Sequence, residues 1–427
     1  MPKWRILAPK PRLVFPLYDT AVWLASVFLR IPALFNPKIR LFLRGRKEVW
    51  QYLESFRLAD RELIWMHTAS LGEFEQGLPV LERLRAAYPD YQILVTFFSP
   101  SGYEVKKDRL SGYGVCYLPL DSGRNARRFL ELARPRLALF VKYEVWPNFF
   151  RELDRSGVPI LMLSALFKPE QAYFHWYGAF LKKALGRVAR FYVQDQVSAR
   201  LLQDNGLDRV TVSGDTRFDR VFEIRERNNH LDFMVAFKGE RTCLVAGSTW
   251  PEDEQVILPL IRDLASVPGH CFVIAPHKTD SKTIENLMQQ LNGLAVLYSQ
   301  RDRADLRQVP VLVIDTIGLL TKIYAYADLA YVGGGFATGL HNTLEPAVFG
   351  IPVLIGPKYQ GFREAEALVA AGGLCPVNSR EAFEDLARTW FADPALRTRL
   401  GSVNQNFTEN STGATLQIME GIHTYLK

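Results

Sequence analysis

The stretch that decides the fold is ELIWMHTASLGEFEQGLPVLERLRAAYP, residues 62–89. Its first third is a short, mostly apolar run of the length of one buried strand. From Phe74 onward the apolar residues recur at helical spacing. Between the two lies Ser70-x-x-Glu73, in which a Ser caps a helix and a Glu three residues later closes the cap. A strand that runs into a capped helix is half of a βαβ unit, so a parallel sheet wrapped by helices is expected. The same turn places the Glu73 carboxylate at the carboxyl end of a strand, where open α/β sheets bind their ligands. Glu73 thus has two candidate roles, helix cap and catalytic base.

The unit repeats. Further strands are expected at 91–99, 114–121, 136–144, 159–165, 190–195 and 209–215, with amphipathic stretches between them. The polar stretch FEIRERNNHLDFMVAFKGER (222–241) interrupts the series and reads as a linker. A second series follows at 242–249, 270–278, 294–300, 309–316, 328–335 and 352–357, and the chain closes with a helix at 413–426. The expected architecture is α/β, with two doubly wound Rossmann-like domains facing a central cleft. The boundaries predicted are an N-terminal segment at 1–47, one domain at 48–225 and a second at 226–427.

The 427 residues are 48% hydrophobic and 23% charged, an ordinary globular balance. The four cysteines (Cys116, Cys243, Cys271, Cys375) are widely spaced and form no C-x-x-C pair, which points away from a disulfide framework or a structural zinc site and toward a reducing cytoplasm. The net charge of +7 is concentrated at the N-terminus. Lys3, Arg5, Lys10, Arg12, Arg30, Lys38, Arg40, Arg44, Arg46 and Lys47 stand there against the single acid Asp19, and the rest of the chain is slightly acidic. A nucleic-acid enzyme is basic along its working groove, so no nucleic-acid partner is expected. Within the basic segment, LVFPLYDTAVWLASVFL (13–29) has no Lys or Arg. Pro16 and Asp19 interrupt it, and it is short of the roughly 20 apolar residues a transmembrane helix needs. Tyr18, Trp23 and Phe28 with flanking cations suit the headgroup layer of an anionic membrane instead. No clear signal-peptide cleavage site follows the run.

Three loops of the second half collect at strand ends. In YVGGGFATGLHNTLEPAVFGIPVLIGP (331–357), Gly333, Gly334 and Gly335 follow a strand, and a helix is expected to begin near His341 or Asn342. Glycines let a backbone approach a ligand closely, and a helix start favours phosphate. Glu345, in the first turn, is placed to accept ribose hydroxyls. AGSTWPEDE puts Ser248 and Thr249 at a strand end, to cap a helix or to hold a phosphate. The acids Glu252, Asp253 and Glu254 are expected to form a solvated first turn. APHKTD places His277 and Lys278 where cations would meet an anionic donor. No D-x-D follows an apolar run, so no metal is expected. The glycine loop, HNTLEP, Gly350, Pro352 and Gly356 together resemble the donor site of nucleotide-sugar glycosyltransferases of the GT-B fold.

SLGE, TFFSPSGYE (96–104), KYEVWPN (142–148), GDTRFDRV (214–221), AGST and GGGF…HNTLEP occur in the order found in the Kdo transferases, and from about residue 40 to 410 the chain resembles that family. The resemblance implies a metal-independent, inverting transfer of 3-deoxy-D-manno-octulosonate (Kdo) from CMP-Kdo to a hydroxyl of a lipid A precursor such as lipid IVA, without a cofactor. It also implies a place on the cytoplasmic face of the inner membrane of a Gram-negative bacterium, with residues 1–47 as the membrane-associated segment. By the same resemblance Glu73 is the catalytic base and Glu144 a second functional acid. Ser248, Gly334, Gly335, Asn342 and Glu345 match the donor loops, joined by His277 and Lys278. Ser70, Ser99, Ser101 and Lys142 are expected on the acceptor side, with Lys106 and Lys107 as further cations for acceptor phosphates. One departure stands out: Pro276-His277-Lys278 occupies the place where the family carries an Arg-His pair. Another GT-B lipid glycosyltransferase, a nucleotide-sugar epimerase and a non-catalytic membrane scaffold are the competing readings.

Overall fold

The computed structural model describes residues 11–56 and 61–427. Lys3, Arg5 and Lys10 lie outside the described residues, as does the side chain of Arg12. The described chain divides into two compact units. One runs to Arg220 and takes back Gly413–Lys427; the other is Val221–Thr412.

The first unit holds a seven-stranded, all-parallel sheet: β1 (Leu63–Thr68), β2 (Gln92–Phe97), β3 (Gly114–Tyr117), β4 (Pro135–Val141), β5 (Ile160–Ala165), β6 (Arg190–Val193) and β7 (Val210–Val212), in the order β3-β2-β1-β4-β5-β6-β7. Its central strands are buried on both faces, which is why they read as continuous apolar runs. Along β1, Leu63 and Trp65 face a core with Phe129, Phe140 and Phe149. Ile64 and Met66 face the opposite core with Phe74, Leu78 and Leu81. Helices α3 (Leu71–Ala87), α4 (Pro100–Lys106), α5 (Gly123–Ala133), α6 (Pro147–Arg155) and α7 (Ala179–Leu185) cover the sheet, preceded by α1 (Pro11–Phe28) and α2 (Pro37–Phe56).

The N-terminal helix differs from expectation in two ways. Pro16 lies inside α1 without ending it, and the stretch Val14–Leu34, at mean hydropathy 1.4, is long and apolar enough by length and composition to cross a membrane. Asp19 likewise lies within α1 without ending it. Its carboxylate accepts hydrogen bonds from Gly123 N (3.3 Å) and Asn148 Nδ2 (2.8 Å), at the starts of α5 and α6. Phe15 packs edge-on against Phe180 and lies under the Arg151 guanidinium. Farther along, Trp23, Leu24, Phe28, Ile31, Leu34 and Phe35 are exposed. The chain returns through Arg46, whose buried guanidinium donates to the Phe98 carbonyl (2.7 Å) just past β2. The apolar hairpin of 20–45 therefore leaves and re-enters at the carboxyl edge of the sheet.

The second unit repeats the plan with β8 (Thr242–Thr249), β9 (His270–Pro276), β10 (Ala295–Leu297), β11 (Val311–Val313), β12 (Leu329–Val332), β13 (Val353–Ile355) and β14 (Leu374–Pro376), all parallel, in the order β10-β11-β9-β8-β12-β13-β14. The stretch expected as a linker is mostly helical: helices Thr216–Glu226 and Asp232–Lys238 occupy it. The sequence places the domain boundary after 225; the division falls at Arg220. The terminal helix Ala414–Leu426 packs on the first unit, with Ile418 and Ile422 in its core.

Candidate active site

In both sheets the winding reverses beside the first strand, between β1 and β4 and between β8 and β12. Loops that follow those strands diverge and leave a crevice at the carboxyl edge. In the first unit they are the loops that carry Glu73 and Glu144. In the second they are the loops of Ser248–Trp250 and Gly333–Gly335.

Ser70 is the N-cap of α3, and Glu73 closes the cap. Glu73 Oε2 accepts both bonds, from Ala69 N (2.5 Å) and Ser70 N (3.2 Å). Its Oε1 has no hydrogen-bond partner among the described residues. The carboxylate is thus held by one oxygen and offers the other. Burial raises its pKa, opposed by the two backbone N–H groups and by Lys142. Glu144, in the loop after β4, is raised to about 7, first by burial, then by the Glu73 charge, with Lys142 opposing. The two carboxylates and one ammonium form a single electrostatic group. Lys142 itself has a left-handed backbone (φ 66°), a costly conformation for a long side chain, and such strain concentrates at working sites.

The other acceptor-side expectations divide. Ser99 Oγ lies 3.0 Å from Ser101 Oγ and caps α4, and Ser99 N donates to the Ala69 carbonyl, which ties this loop to that of Glu73. Lys106 and Lys107 are paired, with Glu75 (2.8 Å) and Glu104 (2.6 Å). Lys142 makes no ion pair within 4 Å among the described residues.

Other residues of the shared motifs support the site. In GDTRFDRV, Thr216 Oγ1 donates to the Gln76 carbonyl (2.6 Å), and Asp215 accepts from Gln76 Nε2 and from Arg217, so the motif braces α3 behind Glu73. Asp219 accepts from Gly413 N and Thr415 N (2.6 Å each) and fastens the terminal helix. In KYEVWPN, Asn148 donates to the Asp121 carbonyl and to Asp19, while the buried Asp121 carboxylate accepts from Asn148 N and Phe149 N.

In the second unit Glu252, among the acids after β8, is exposed as expected, whereas Asp253 and Glu254 are buried. Asp253 accepts from Trp250 N (2.9 Å), Gly334 N (2.7 Å) and Tyr331 Oη (2.7 Å), with Phe336 N at 3.4 Å. The Gly334 N–H is therefore spent inside the protein. The glycines serve backbone packing: a Cβ on Gly333 would lie 2.4 Å from the Ser248 carbonyl oxygen, and one on Gly335 would lie 2.7 Å from the Gly356 backbone. Ser248 has φ 55°. The helix expected near His341 is only Leu344–Ala347, too short to give a helix-dipole site. Asn342 Nδ2 bonds Glu345 Oε1 at 3.1 Å. His277 stacks between Trp250 (4.7 Å) and His341 (4.5 Å), Trp250 Nε1 donates to His341 Nε2 (3.0 Å), and Lys278 Nζ lies 5.1 Å from the Trp250 ring. Burial, then Lys278, pushes His277 below its usual pKa; burial, then His277, does the same to His341. Both imidazoles are thus held toward the neutral form, with the Lys278 ammonium beside them. Trp250 carries no local signal of this role, and Asp253 reads from the sequence only as part of a solvated turn. Among the described residues no group of three or more His, Cys, Asp and Glu side chains could hold a metal ion.

The sequence pattern of the 3-deoxy-D-manno-octulosonic-acid transferases matches residues 44–220. The 3-deoxy-D-manno-octulosonic acid transferase of Chlamydophila psittaci is 31% identical over 321 residues, 73% of each chain. The chain belongs to the Kdo transferases. The Kdo transferase of Haemophilus influenzae is 26% identical over 378 residues, 85% of this chain and 87% of that one. Among solved structures, the UDP-GlcNAc 2-epimerase of Neisseria meningitidis aligns over 85% of this chain and all of its own with TM-score 0.61 at 16% identity. Acinetobacter baumannii MurG aligns with TM-score 0.53 at 14% identity, covering 85% of this chain and 99% of its own. These likenesses show a GT-B fold. As a Kdo transferase, the protein is a glycosyltransferase of lipopolysaccharide synthesis. In this Kdo transferase Glu73, Lys142 and Glu144 gather at the winding reversal of the first sheet, and Ser248, Gly334 and Gly335 at that of the second.

Proposed function

We propose that this Kdo transferase moves Kdo from CMP-Kdo to a hydroxyl of a lipid A precursor, lipid IVA, with inversion at the anomeric carbon. The observation that carries the mechanism is the divided carboxylate of Glu73. While Oε2 is pinned by two backbone N–H groups, Oε1 accepts the proton of the attacking hydroxyl. The hydroxyl oxygen forms its bond to the anomeric carbon as the bond to the CMP phosphate oxygen breaks, and CMP leaves with the electron pair. One base on the face opposite the leaving group gives inversion. General-base assistance of this kind contributes roughly 10²–10⁴ in rate.

Burial suits the role, since a base with a pKa raised toward neutrality accepts a proton more readily. Lys142 opposes the rise in pKa of both carboxylates, and Glu144 holds a proton or a charge close to the acceptor. On the donor side, Lys278 and a ring N–H of His277 receive the phosphate charge, and the reaction runs without a metal. Ser248, Gly335, Asn342 and Glu345 line the donor's path, and Ser70, Ser99 and Ser101 the acceptor's. The exposed apolar side chains of the 20–45 hairpin rest on the anionic inner face of the cytoplasmic membrane. They emerge at the same sheet edge as Glu73, which brings the base to a lipid acceptor.

Incubation with CMP-Kdo and lipid IVA tests the reading by mass spectrometry of the lipid product and NMR of its anomeric configuration. An inverted Kdo adduct is expected, with CMP but not UDP raising the melting temperature. No adduct, or protection by UDP alone, would return the chain to another GT-B activity.

A further inference from the structure

The segment QAYFHWYG, residues 171–178, follows β5 and so lies at the same carboxyl edge as Glu73. It closes on itself. His175 N donates to the Ala172 carbonyl and Gly178 N to that of His175. A Cβ on Gly178 would fall 1.6 Å from the Ala172 carbonyl oxygen, so only glycine closes this turn. Tyr173 anchors the loop inward on Phe167 and Phe174. Trp176 and Tyr177 point the other way. They are 76% and 60% exposed, the most exposed large apolar side chains of the first unit outside residues 14–45 among the described residues.

Rigid, solvent-facing Trp and Tyr are costly to leave in water and match the headgroup layer of a bilayer, where one end of the ring is apolar and the other wet. Two residues beyond the loop, Phe180 packs on Phe15 (4.8 Å) and Tyr18 (5.4 Å) of α1. The aromatic loop is therefore continuous with the base of the membrane-facing helix. Lys168 and Lys183 are exposed on either side of it, with Glu170 the one acid of the stretch.

We propose that loop 171–178 is a second bilayer contact, with Trp176 and Tyr177 seated in the headgroup layer of an anionic phospholipid surface beside α1. This rests on the membrane reading of α1 above. A single apolar hairpin leaves the domain free to rotate about its anchor, whereas two contacts on one edge fix the orientation of that edge. The loop is held closed before it binds, so little ordering entropy is lost on contact.

The test uses the full chain and vesicles of phosphatidylethanolamine and phosphatidylglycerol, with three variants: Trp176→Ser, Trp176→Ser/Tyr177→Ser, and Leu34→Ser/Phe35→Ser. Vesicle partitioning by sedimentation is read beside Kdo transfer to detergent-dispersed acceptor, which needs no bilayer. The double loop variant should partition at least about ten-fold more weakly, a floor for withdrawing two large aromatic side chains from the interfacial layer, with transfer in detergent unchanged. The single variant should fall between, and it carries the test if the double variant melts early. Unchanged partitioning of the loop variants, while Leu34→Ser/Phe35→Ser loses binding, overturns the proposal and leaves the α1 reading standing. If none of the variants changes partitioning, both fail. Loss of transfer in detergent with partitioning intact makes the loop an acceptor contact, which also overturns it.

Discussion

Glu73→Gln separates the two roles of this side chain because the structure assigns them to different oxygens. The amide oxygen of Gln can still accept from Ala69 N and Ser70 N, so the cap on α3 persists. What disappears is the charge and with it the basic Oε1. Neutralising a carboxylate at a helix N-terminus forfeits about 0.3–1 kcal/mol of dipole interaction. Burial works in the opposite direction and dominates, since the pKa of Glu73 is raised on folding. An acid with a raised folded pKa disfavours the folded state above that pKa and has no such effect below its unfolded value. At neutral pH the Gln variant should therefore be as stable as wild type or slightly more so, with melting temperatures within about 2 °C. Turnover should fall roughly 10²–10⁴-fold. Glu73→Ala removes the cap as well and should cost about 1 kcal/mol of stability, or about 2–4 °C in a unit of this size. The assay is Kdo transfer from CMP-Kdo to lipid IVA, with melting curves taken with and without CMP. If Glu73→Gln turns over normally, the base lies elsewhere, whatever the melting temperature does.

Glu144 should appear in the pH profile. Its pKa of about 7 comes from burial and from the neighbouring Glu73 charge. The wild-type kcat/KM profile should carry an inflection near 7 that Glu144→Gln abolishes, while the lower limb from Glu73 remains; a profile unaltered by the substitution refutes the coupling. Asp253→Ala should strip acceptors from Trp250 N, Gly334 N and Tyr331 Oη together. At about 1–3 kcal/mol for each buried donor left unpaired, denaturant unfolding of the second unit should lose several kcal/mol, and CMP protection should weaken; a loss under 1 kcal/mol would mean that the glycine loop holds its shape without the carboxylate.

The sequence carried the signals that are local. Strands such as Leu63–Thr68 and Leu329–Val332 are buried on both faces and so read as apolar runs, whereas Leu374–Pro376 was passed over because three residues ending in Pro carry no such run. The helices within 222–241 look like a linker because their partners are distant: Arg225 bonds Glu409, and Leu231 N donates to Tyr326 Oη. Glu73 was legible as cap and base because the cap closes within three residues. Asp253 was not, since its partners Tyr331 and Gly334 lie about 80 residues on. The lowered pKa of His277 was hidden for another reason: it comes first from burial, which the letters of the loop do not report. Yet these non-local pairs follow from one topological fact. In a doubly wound sheet the first strand of the unit lies beside the strand that starts the second half, so the loop after β8 must meet the loop after β12, as the loop after β1 meets that after β4. An acid three residues into the helix after β8 can then reach a glycine N–H after β12. The same adjacency brings Glu144 within the field of Glu73. The strand order, once inferred from the βα repeat, thus tells which loops to read together, and what the residues within those loops do follows from burial, spare lone pairs and charge.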